Sequence, residues 1–358
     1  AVCGDLFLEN PREWLDKNDF IDAVILDFTS GDVAVYVNSG KVSSEAVVHR
    51  EMNLPVAPDR NRTFETRVAP MHELFLPLAY RYPFTLSRKY CSVLTQFGCP
   101  FDCSFCIMGK LRYRVRPTED VMRELERIKE LGVRELFFVD QTFGANKTGA
   151  RELLRKMTNR NMGFSWFCFS RVDVLQPELL RLMKDAGCHT VIVGIESGSE
   201  SLLSKYRKGY DREQIRSALG MCESLGLRTV GTFIMGLPDE TEETARETLE
   251  FLKELPLDYA SFNVAVPRAG TDLREEAINT GLAAGDFVSM DQSGTEVAMP
   301  TRSLSRERVS QLRRRAVKQF YLRPGYLVKR LLRQRTGYEF VQNIRHAAAL
   351  FRNTFGRR

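Results

Sequence analysis

The chain has 358 residues, 43% of them hydrophobic and 27% charged, with a net charge of +6, and this is the composition of an ordinary globular protein. A chain of this length can bury a sizeable core without disulfide staples, so its eight cysteines fit buried thiols and metal ligands better than a disulfide framework. No run of about 18 apolar residues occurs, which excludes a transmembrane helix and predicts a cytoplasmic protein.

Strand and helix patterns alternate along the chain. Residues 1–85 contain one clear strand, at 22–28. Short apolar segments then predict six strands, at 90–97, 136–140, 164–171, 190–196, 229–236 and 259–266. Helical patterns lie at 118–131 and 148–160, after Pro177, at 211–225 and 241–254, and from about Asp272. Alternating strands and helices imply a parallel α/β sheet covered on both faces. The pattern alone leaves an open doubly wound sheet and a partial barrel both open.

A close group of cysteines follows the first of these strands. The segment CPFDCSFC places Cys99, Cys103 and Cys106 in a C-x3-C-x2-C spacing. Soft thiolates select zinc or iron–sulfur clusters, but a structural zinc site needs a fourth ligand, and none of the four histidines is near the triplet. Three thiolates on a four-iron cluster leave one iron open for chemistry. We therefore predict a [4Fe–4S] cluster; an electron-carrying cluster with a distant fourth cysteine is the alternative.

This triplet, with the aromatic Phe105 before its last cysteine and a strand before its first, resembles the signature of the radical S-adenosylmethionine (SAM) superfamily. The resemblance implies a partial (β/α)6 TIM-type barrel at residues 86–285, after a linker at 61–85. It also implies that the amino and carboxylate groups of SAM chelate the open iron. An electron from the cluster then cleaves SAM to a 5′-deoxyadenosyl radical, which abstracts hydrogen from a substrate. A reducing partner of the flavodoxin or ferredoxin type would supply that electron.

Polar residues at the strand ends are the candidates for SAM binding. The resemblance implies that Asp140 and Gln141, after the second strand, help hold the SAM amino group; a helix cap or turn is the alternative. Ser170 and Arg171 end the third strand, and Arg171 could pair bidentately with the SAM carboxylate or form a surface salt bridge. Glu196 ends the fourth strand and resembles the family's polar residue that contacts SAM. A carboxylate after a buried apolar run is costly unless it is paired or functional.

The fifth strand carries a glycine-rich segment. The sequence GTFIMGLPDET at 231–241 resembles the family's Gly-x-Ile-x-Gly segment, which backs the adenine of SAM. The candidates here are Gly231, Phe233 in place of the usual Ile or Val, and Gly236. Glycine allows close backbone approach, although these glycines could equally be turn residues. No catalytic residue can be named from the sequence.

The chain resembles the cobalamin (B12)-binding branch of the superfamily over about residues 85–335. The segments that carry this resemblance are RYRVRPTEDVMRELERIKELGVRELFFVDQTF at 112–143, FSRVDVL, GIESGSE and FYLRPGYLVKRLL at 320–332. Residues 1–60, including AVCGD at 1–5, resemble the second half of a cobalamin-binding Rossmann-like α/β domain. They lack the Asp-x-His-x-x-Gly motif that supplies an axial histidine in many cobalamin proteins. Three explanations stay open: the natural chain starts before Ala1, the domain has degenerated, or cobalamin binds without a histidine.

The branch implies cobalamin-dependent methylation, or another radical modification, of an unactivated carbon on a small-molecule or lipid substrate. The alternatives are an anaerobic radical cyclase or lipid-modifying enzyme, and a non-catalytic Fe–S protein with a basic binding tail. A radical SAM enzyme of any of these kinds would cleave SAM, whereas a non-catalytic Fe–S protein would not.

The C-terminal end of the chain is strongly basic. Residues 306–358 hold fifteen Lys and Arg against Glu307 and Glu339, a net charge of +13, so the other 305 residues carry −7. We predict a basic helical extension at 286–358. Such helices can pack on the protein with Arg in water, or lie on an anionic membrane surface. Contact with nucleic-acid phosphates has the least support, since exposed stacking aromatics cannot be identified.

Overall fold

The computed structural model describes residues 1–3, 7, 10–42, 46–50, 63–64, 70–78, 82, 84–285, 291–293, 296–334 and 336–355. The AVCGD segment at 1–5 and the predicted linker at 61–85 therefore lie partly outside the described residues. No helix in the described ranges is both long enough and apolar enough to cross a membrane.

The N-terminal part forms a small α/β unit. Its elements are β1 (Val2–Cys3), α1 (Pro11–Lys17), β2 (Ala23–Ile25), α2 (Asp32–Ser39) and β3 (Val47–His49). β2 lies in the middle, parallel to β1 and antiparallel to β3. The sequence predicted only the strand at β2, because the two neighbouring strands are too short to show a periodic pattern. A separate short helix, α3 (His72–Phe75), follows.

The centre of the protein is a sheet of six parallel strands. The strands of this region are β4 (Cys91–Val93), β5 (Gln96–Phe97), β6 (Arg114–Val115), β7 (Glu135–Phe138), β8 (Ser165–Ser170), β9 (Cys188–Glu196), β10 (Arg228–Met235) and β11 (Tyr259–Val264). The sheet order is β4-β7-β8-β9-β10-β11, so strands that lie side by side in this sheet also follow one another along the chain. Strands β5 and β6 form a separate pair. A doubly wound sheet would reverse its order at one point. The observed order is that of a partial (β/α)6 barrel.

The sheet is curled, since side chains from distant strands meet one ring. The centroid of the Phe84 ring lies 5.1 Å from that of Phe167 in β8 and 5.7 Å from that of Tyr259 in β11. In a flat sheet these strands would be three spacings apart, about 14 Å. The same buried cluster also contains Phe137, Ile192 and Val230. These side chains fill the interior of the barrel.

Amphipathic helices cover the outside of the barrel. They are α4 (Thr118–Glu130), α5 (Lys147–Asn159), α6 (Pro177–Asp185), α7 (Glu200–Lys205), α8 (Arg212–Ser224), α9 (Glu242–Glu254) and α10 (Asp272–Asn279). In α4 the buried residues Val121, Leu125 and Ile128 recur at helical spacing and face the sheet. The start of α8 is fixed by a capping box between Asp211 and Gln214. The short helix α7 was missed by the sequence prediction.

One predicted strand is wrong in its second half. The apolar run at 90–97 indicated a single strand, but β4 ends at Val93 and β5 pairs antiparallel with β6. The chain turns between them because the backbone N–H groups of Thr95 and Gln96 donate to the carboxylate of Asp140, at 2.7 and 3.1 Å. This turn leads directly into the cysteine loop.

The basic extension forms three helices, α11 (Arg306–Tyr321), α12 (Pro324–Leu332) and α13 (Gly337–Phe355). Helix α11 packs on the barrel through its buried residues Val309, Leu312, Ala316, Val317 and Phe320. Helix α13 is held by the fully buried Glu339, whose carboxylate accepts hydrogen bonds from Arg228 at 2.5 Å and from Arg330 at 2.8 Å. Much of the extension therefore packs on the protein body.

Candidate functional site

The three cysteines of the C-x3-C-x2-C segment lie on one compact loop after β4, at the C-terminal edge of the sheet. The N–H of Cys99 donates to the carbonyl of Met108 at 3.0 Å, and the N–H of Cys106 donates to the carbonyl of Cys103 at 3.0 Å. Burial raises the pKa of Cys106, and the nearby Cys103 and Cys99 raise it further. All three thiols are free and belong to this one loop.

Gly98 makes the tight approach to this loop possible. Its φ of 73° lies in the left-handed region, and a Cβ there would be 2.6 Å from the carbonyl oxygen of Arg112. Only glycine fits this combination of backbone angle and space. The glycine therefore allows the backbone to turn into Cys99 while packed closely against Arg112.

The donor set suits an iron–sulfur cluster. Within the described parts of the chain, no three His, Cys, Asp or Glu side chains gather closely enough to hold one metal ion. The thiolates of a [4Fe–4S] cluster each bind a different iron and need not meet at one point. Cys99, Cys103 and Cys106 are the residues that would hold such a cluster.

Arg171 reaches the loop from the end of β8. Its Nη1 lies 3.3 Å from the Sγ of Cys103 and donates to it. Its Nε and Nη2 donate to the two carboxylate oxygens of Asp173, both at 3.0 Å, and Nη2 also donates to the carbonyl of Lys208 at 2.6 Å. The side chain is buried, which does not fit the surface salt bridge left open by the sequence. The bidentate carboxylate partner within the protein is Asp173.

Glu196 pairs with a lysine that the sequence analysis did not select. The Nζ of Lys208 lies 2.7 Å from Oε1 of Glu196, and both residues are buried. Burial lowers the pKa of Lys208, but the charges of Glu196, Tyr210 and Cys103 and the hydrogen bond to Glu196 together outweigh it, so the pKa stands above its usual value. Lys208 also lies 5.7 Å from the ring centroid of Phe105, between two of the cysteines.

A bulge at the end of β9 directs Glu196 to this position. Thr232 of β10 pairs with Gly194, but the next residue, Phe233, pairs with Glu196, so the register skips Ile195. Glu196 has a φ of 65°, which is uncommon for a residue with a side chain. Bulges re-aim side chains and are frequent beside active sites.

Asp140 supports the turn before the cysteines. Its Oδ1 accepts from the N–H groups of Thr95 and Gln96, and its Oδ2 accepts from the hydroxyl of Thr95 at 2.5 Å. Burial raises the pKa of Asp140 to about 6, although these hydrogen bonds oppose the rise. Both oxygens therefore have partners within the protein, as the turn alternative requires.

The other strand-end candidates have different surroundings. Gln141 is exposed beside Asp140. The hydroxyl of Ser170 is buried and donates to the carbonyl of Phe143 at 2.9 Å. This hydrogen bond ties the end of β8 to the loop that follows β7.

The three candidate positions of the glycine-rich segment, Gly231, Phe233 and Gly236, face away from the barrel interior. The ring of Phe233 is fully buried and stacks on Phe262 at 5.3 Å, within the core between sheet and helices. A Cβ on Gly231 would meet Leu257 at 2.7 Å, and one on Gly236, where φ is 85°, would meet Val309 of α11 at 2.9 Å. At these three positions, contact with a cofactor would therefore be through the backbone.

The residues missed by the sequence analysis lie mainly on the loop between α7 and α8. The segment YRKGY at 206–210 supplies Lys208 and also Tyr210, whose ring centroid lies 5.0 Å from the Arg171 guanidinium. Its position in a loop that follows a barrel strand is the signal that could have identified it, since barrel sites are built from such loops.

The N-terminal unit touches the strands around the cysteine loop. The carboxylate of Asp27, just after β2, lies 3.1 Å from the guanidinium of Arg114 in β6, and both residues are buried. Phe28 packs edge-on against Phe97 of β5, with centroids 4.7 Å apart. The end of β2 therefore lies beside the strands that flank the cysteines.

Residues 93–252 match the family model described as the Radical SAM superfamily. An uncharacterised methyltransferase from Pyrococcus horikoshii is 37% identical over 245 residues, which are 66% of this chain and 52% of that protein. The chain thus spans about half the length of the curated relatives it matches.

Two solved structures share the fold over most of this chain. The radical SAM methyltransferase TsrM from Kitasatospora setae, with cobalamin and a [4Fe–4S] cluster bound, has a TM-score of 0.62 at 18% identity and covers 90% of this chain and 72% of its own. The cobalamin-dependent radical enzyme OxsB, with aqua-cobalamin and SAM bound, has a TM-score of 0.63 at 16% identity. It covers 99% of this chain and 58% of its own.

Proposed function

We propose that this chain, which belongs to the radical SAM superfamily through the domain at residues 93–252, holds a [4Fe–4S] cluster on Cys99, Cys103 and Cys106 and cleaves SAM reductively. The observation that carries the proposal is the position of three free thiols on one loop at the C-terminal edge of the barrel strands. Active sites of barrels with parallel strands lie at this edge.

The bound cluster and SAM would supply a one-electron cleavage of the S–C5′ bond, which gives methionine and a 5′-deoxyadenosyl radical. The residues of the chain bind and orient. Glu196 and Lys208 present one negative and one positive group beside the cysteine loop, which suits the amino and carboxylate groups of SAM. Gln141, Ser170 and the backbone of 231–236 complete the proposed SAM site.

We also propose cobalamin as a second cofactor and methyl transfer to an unactivated carbon as the reaction. The contact of Asp27 with Arg114 supports this proposal, because it brings the α/β unit against the strands that flank the cysteines. The methyltransferase names of the Pyrococcus relative and of TsrM favour the same chemistry. With this proposal the chain divides into a partial cobalamin-binding-like α/β segment at 1–60, a linker at 61–85, the radical SAM barrel at 86–285 and the basic helical extension at 286–358.

Product analysis after anaerobic reconstitution tests both parts. The protein is loaded with iron and sulfide, reduced in the presence of SAM with and without cobalamin, and its products are measured by mass spectrometry. We expect 5′-deoxyadenosine from the natural chain and from the Cys3→Ser control, whose cysteine is exposed and far along the sequence from the loop. We expect none from Cys103→Ala.

S-adenosylhomocysteine that appears only with cobalamin would support methyl transfer. Neither product, from protein with an intact cluster, would overturn the proposed activity and favour an electron-transfer or binding protein. 5′-Deoxyadenosine without any cobalamin effect would favour a radical cyclase or another rearrangement. The substrate is proposed to be a small molecule or a lipid, and the electron donor a protein of the flavodoxin or ferredoxin type.

Peripheral contact with an anionic membrane is proposed for α12 and α13. Large apolar side chains are exposed on both helices, namely Leu327, Val328, Leu332, Phe340, Val341 and Ile344. Residues 306–358, which contain them, carry a net charge of +13. Apolar side chains combined with basic ones suit a surface of anionic lipid.

Sedimentation with lipid vesicles tests this contact. We expect binding to vesicles that contain phosphatidylserine, weaker binding to pure phosphatidylcholine, and loss of binding for Val328→Ser/Leu332→Ser. The control is Phe20→Ser, which removes an apolar side chain that is 81% exposed on the N-terminal unit. Equal sedimentation of all three proteins, or none with either lipid, would contradict the proposal.

A further inference from the structure

The guanidinium of Arg171 contacts one of the three cysteines of the loop directly. Its Nη1 lies 3.3 Å from the Sγ of Cys103. We infer that Arg171 donates a hydrogen bond to the Cys103 thiolate and thereby raises the reduction potential of the [4Fe–4S] cluster. The inference rests on the proposed function, because it requires a cluster on this loop.

The surrounding residues fix the guanidinium in place. Asp173 accepts from Nε and Nη2, both at 3.0 Å, and the carbonyl of Lys208 accepts from Nη2 at 2.6 Å. Three separate acceptors thus leave Nη1 directed at sulfur. Arginine presents its donors in a rigid planar fork, so fixing two nitrogens fixes the third.

Aromatic rings shield the contact from water. The central carbon of the guanidinium lies 3.8 Å from the ring centroid of Phe101 and 5.0 Å from that of Tyr210. Arg171 is 5% exposed and Cys103 is 7% exposed. A hydrogen bond from a charged donor is stronger in such a low-dielectric setting than in water.

The effect on the cluster follows from charge. Reduction adds one electron, and part of that charge resides on the cysteine sulfurs. A cationic N–H donor stabilises the more negative, reduced state, and hydrogen bonds to the sulfurs are among the factors that set cluster potentials. Arg171 would therefore stabilise the extra negative charge on the Cys103 sulfur in the reduced cluster.

A matched pair of variants distinguishes the effect of the hydrogen bond to Cys103 from the effect of losing a nearby positive charge. Arg171→Gln removes the charge together with the donor to sulfur. Arg207→Gln removes a charge from the neighbouring 206–210 loop, where Arg207 is exposed and pairs with Asp102 at 3.3 Å and with Asp272. Both proteins are reconstituted anaerobically without SAM, and the cluster is titrated electrochemically with detection of the reduced state by EPR.

We expect a more negative potential for Arg171→Gln, with roughly a tenfold lower ratio of reduced to oxidised cluster at one fixed potential, or about 59 mV for a one-electron couple. Arg207→Gln should shift by less than half of that. An unchanged potential in Arg171→Gln with full iron content, or an equal shift in both variants, would overturn the inference. A natural chain that takes up no cluster would instead contradict the proposed function.

A second measurement covers the case in which Arg171→Gln does not take up iron. Natural protein and Arg207→Gln, both made with isotopically labelled guanidino nitrogen, are reduced without SAM. Pulsed EPR should show coupling between the cluster spin and an arginine nitrogen in both. Arg171→Lys, which keeps a positive charge, should lose this coupling. Absence of the coupling in the natural protein, or its survival in Arg171→Lys, would refute the hydrogen bond.

Discussion

Lys208 and Glu196 form a buried ion pair beside the cysteine loop, with Nζ 2.7 Å from Oε1. Removing one partner of a buried pair leaves the other charge without compensation, whereas removing both can be nearly neutral. We therefore expect Lys208→Met to lower the free energy of unfolding by about 3 to 5 kcal/mol. Glu196→Gln/Lys208→Met should recover much of that loss. Urea unfolding of the apo proteins measures both, and a double variant that loses the sum of both single effects would contradict the pairing.

Gly194 provides the space for this ion pair. A Cβ at this position would lie 2.9 Å from Nζ of Lys208 and still closer to the carboxylate of Glu196. Overpacking of this kind typically costs about 1 to 3 kcal/mol, so Gly194→Ala should destabilise the protein by that amount. The matched control is Gly220→Ala in the exposed part of α8, where a Cβ would meet no atom within 4 Å. It should stabilise the helix by about 0.5 to 1 kcal/mol. Equal effects in urea unfolding would contradict the steric argument.

His72 should make stability depend on pH. Burial lowers its pKa, but hydrogen bonds with Cys91 and with Glu124, at 2.8 Å, outweigh burial and raise the pKa from 6.5 to about 9. The folded state therefore binds this proton more tightly than the unfolded state. The resulting stability is fully present below pH 6.5 and is lost as the pH rises to about 9.

The expected size of this loss is about 3 kcal/mol at most. A charged neighbour of the pair is Arg116, which donates to Glu124 at 2.6 Å. Urea unfolding between pH 6 and 9 should show a fall for the natural chain that is missing in His72→Gln. Parallel pH profiles for the two proteins would show that His72 is not the group responsible.

Glu339 should anchor the C-terminal helices. It is fully buried and accepts from Arg228 at 2.5 Å. Glu339→Gln leaves the buried Arg228 without its charged partner, so we expect a loss of about 3 kcal/mol and faster amide exchange in α12 and α13. Glu307→Gln, in the exposed first turn of α11, is the charge-matched control and should cost less than about 1 kcal/mol. Unchanged amide exchange in Glu339→Gln would contradict the anchoring role.

The sequence predicted the six strands and the cysteine loop because both depend on local patterns, whereas the partial barrel was expected only from the resemblance to the radical SAM superfamily. Strands such as β9 and β10 are continuous apolar runs, and the spacing of Cys99, Cys103 and Cys106 is itself the motif. The prediction failed for β1 and β3, whose two and three residues are too few to show alternation. It also failed at the end of β4, where the turn depends on the distant Asp140.

The partners of the charged site residues could not be predicted because they come from distant parts of the chain. The sequence selected Arg171 but not its contact with Cys103, which lies 68 residues earlier. It selected Glu196 but not Lys208, because a lysine on a loop usually reads as a solvated charge. Only the fold shows that the 206–210 loop bends back over the cysteines.

The EPR spectrum of the reduced, reconstituted protein before and after SAM is added tests most directly whether the three cysteines hold a cluster that binds SAM. A cluster held by three cysteines has an open iron that SAM can chelate, so we expect a changed spectrum for the natural chain and no four-iron signal for Cys99→Ala, Cys103→Ala or Cys106→Ala. A four-iron signal that is identical with and without SAM would contradict the claim, because it would show that no iron of the cluster is open to SAM.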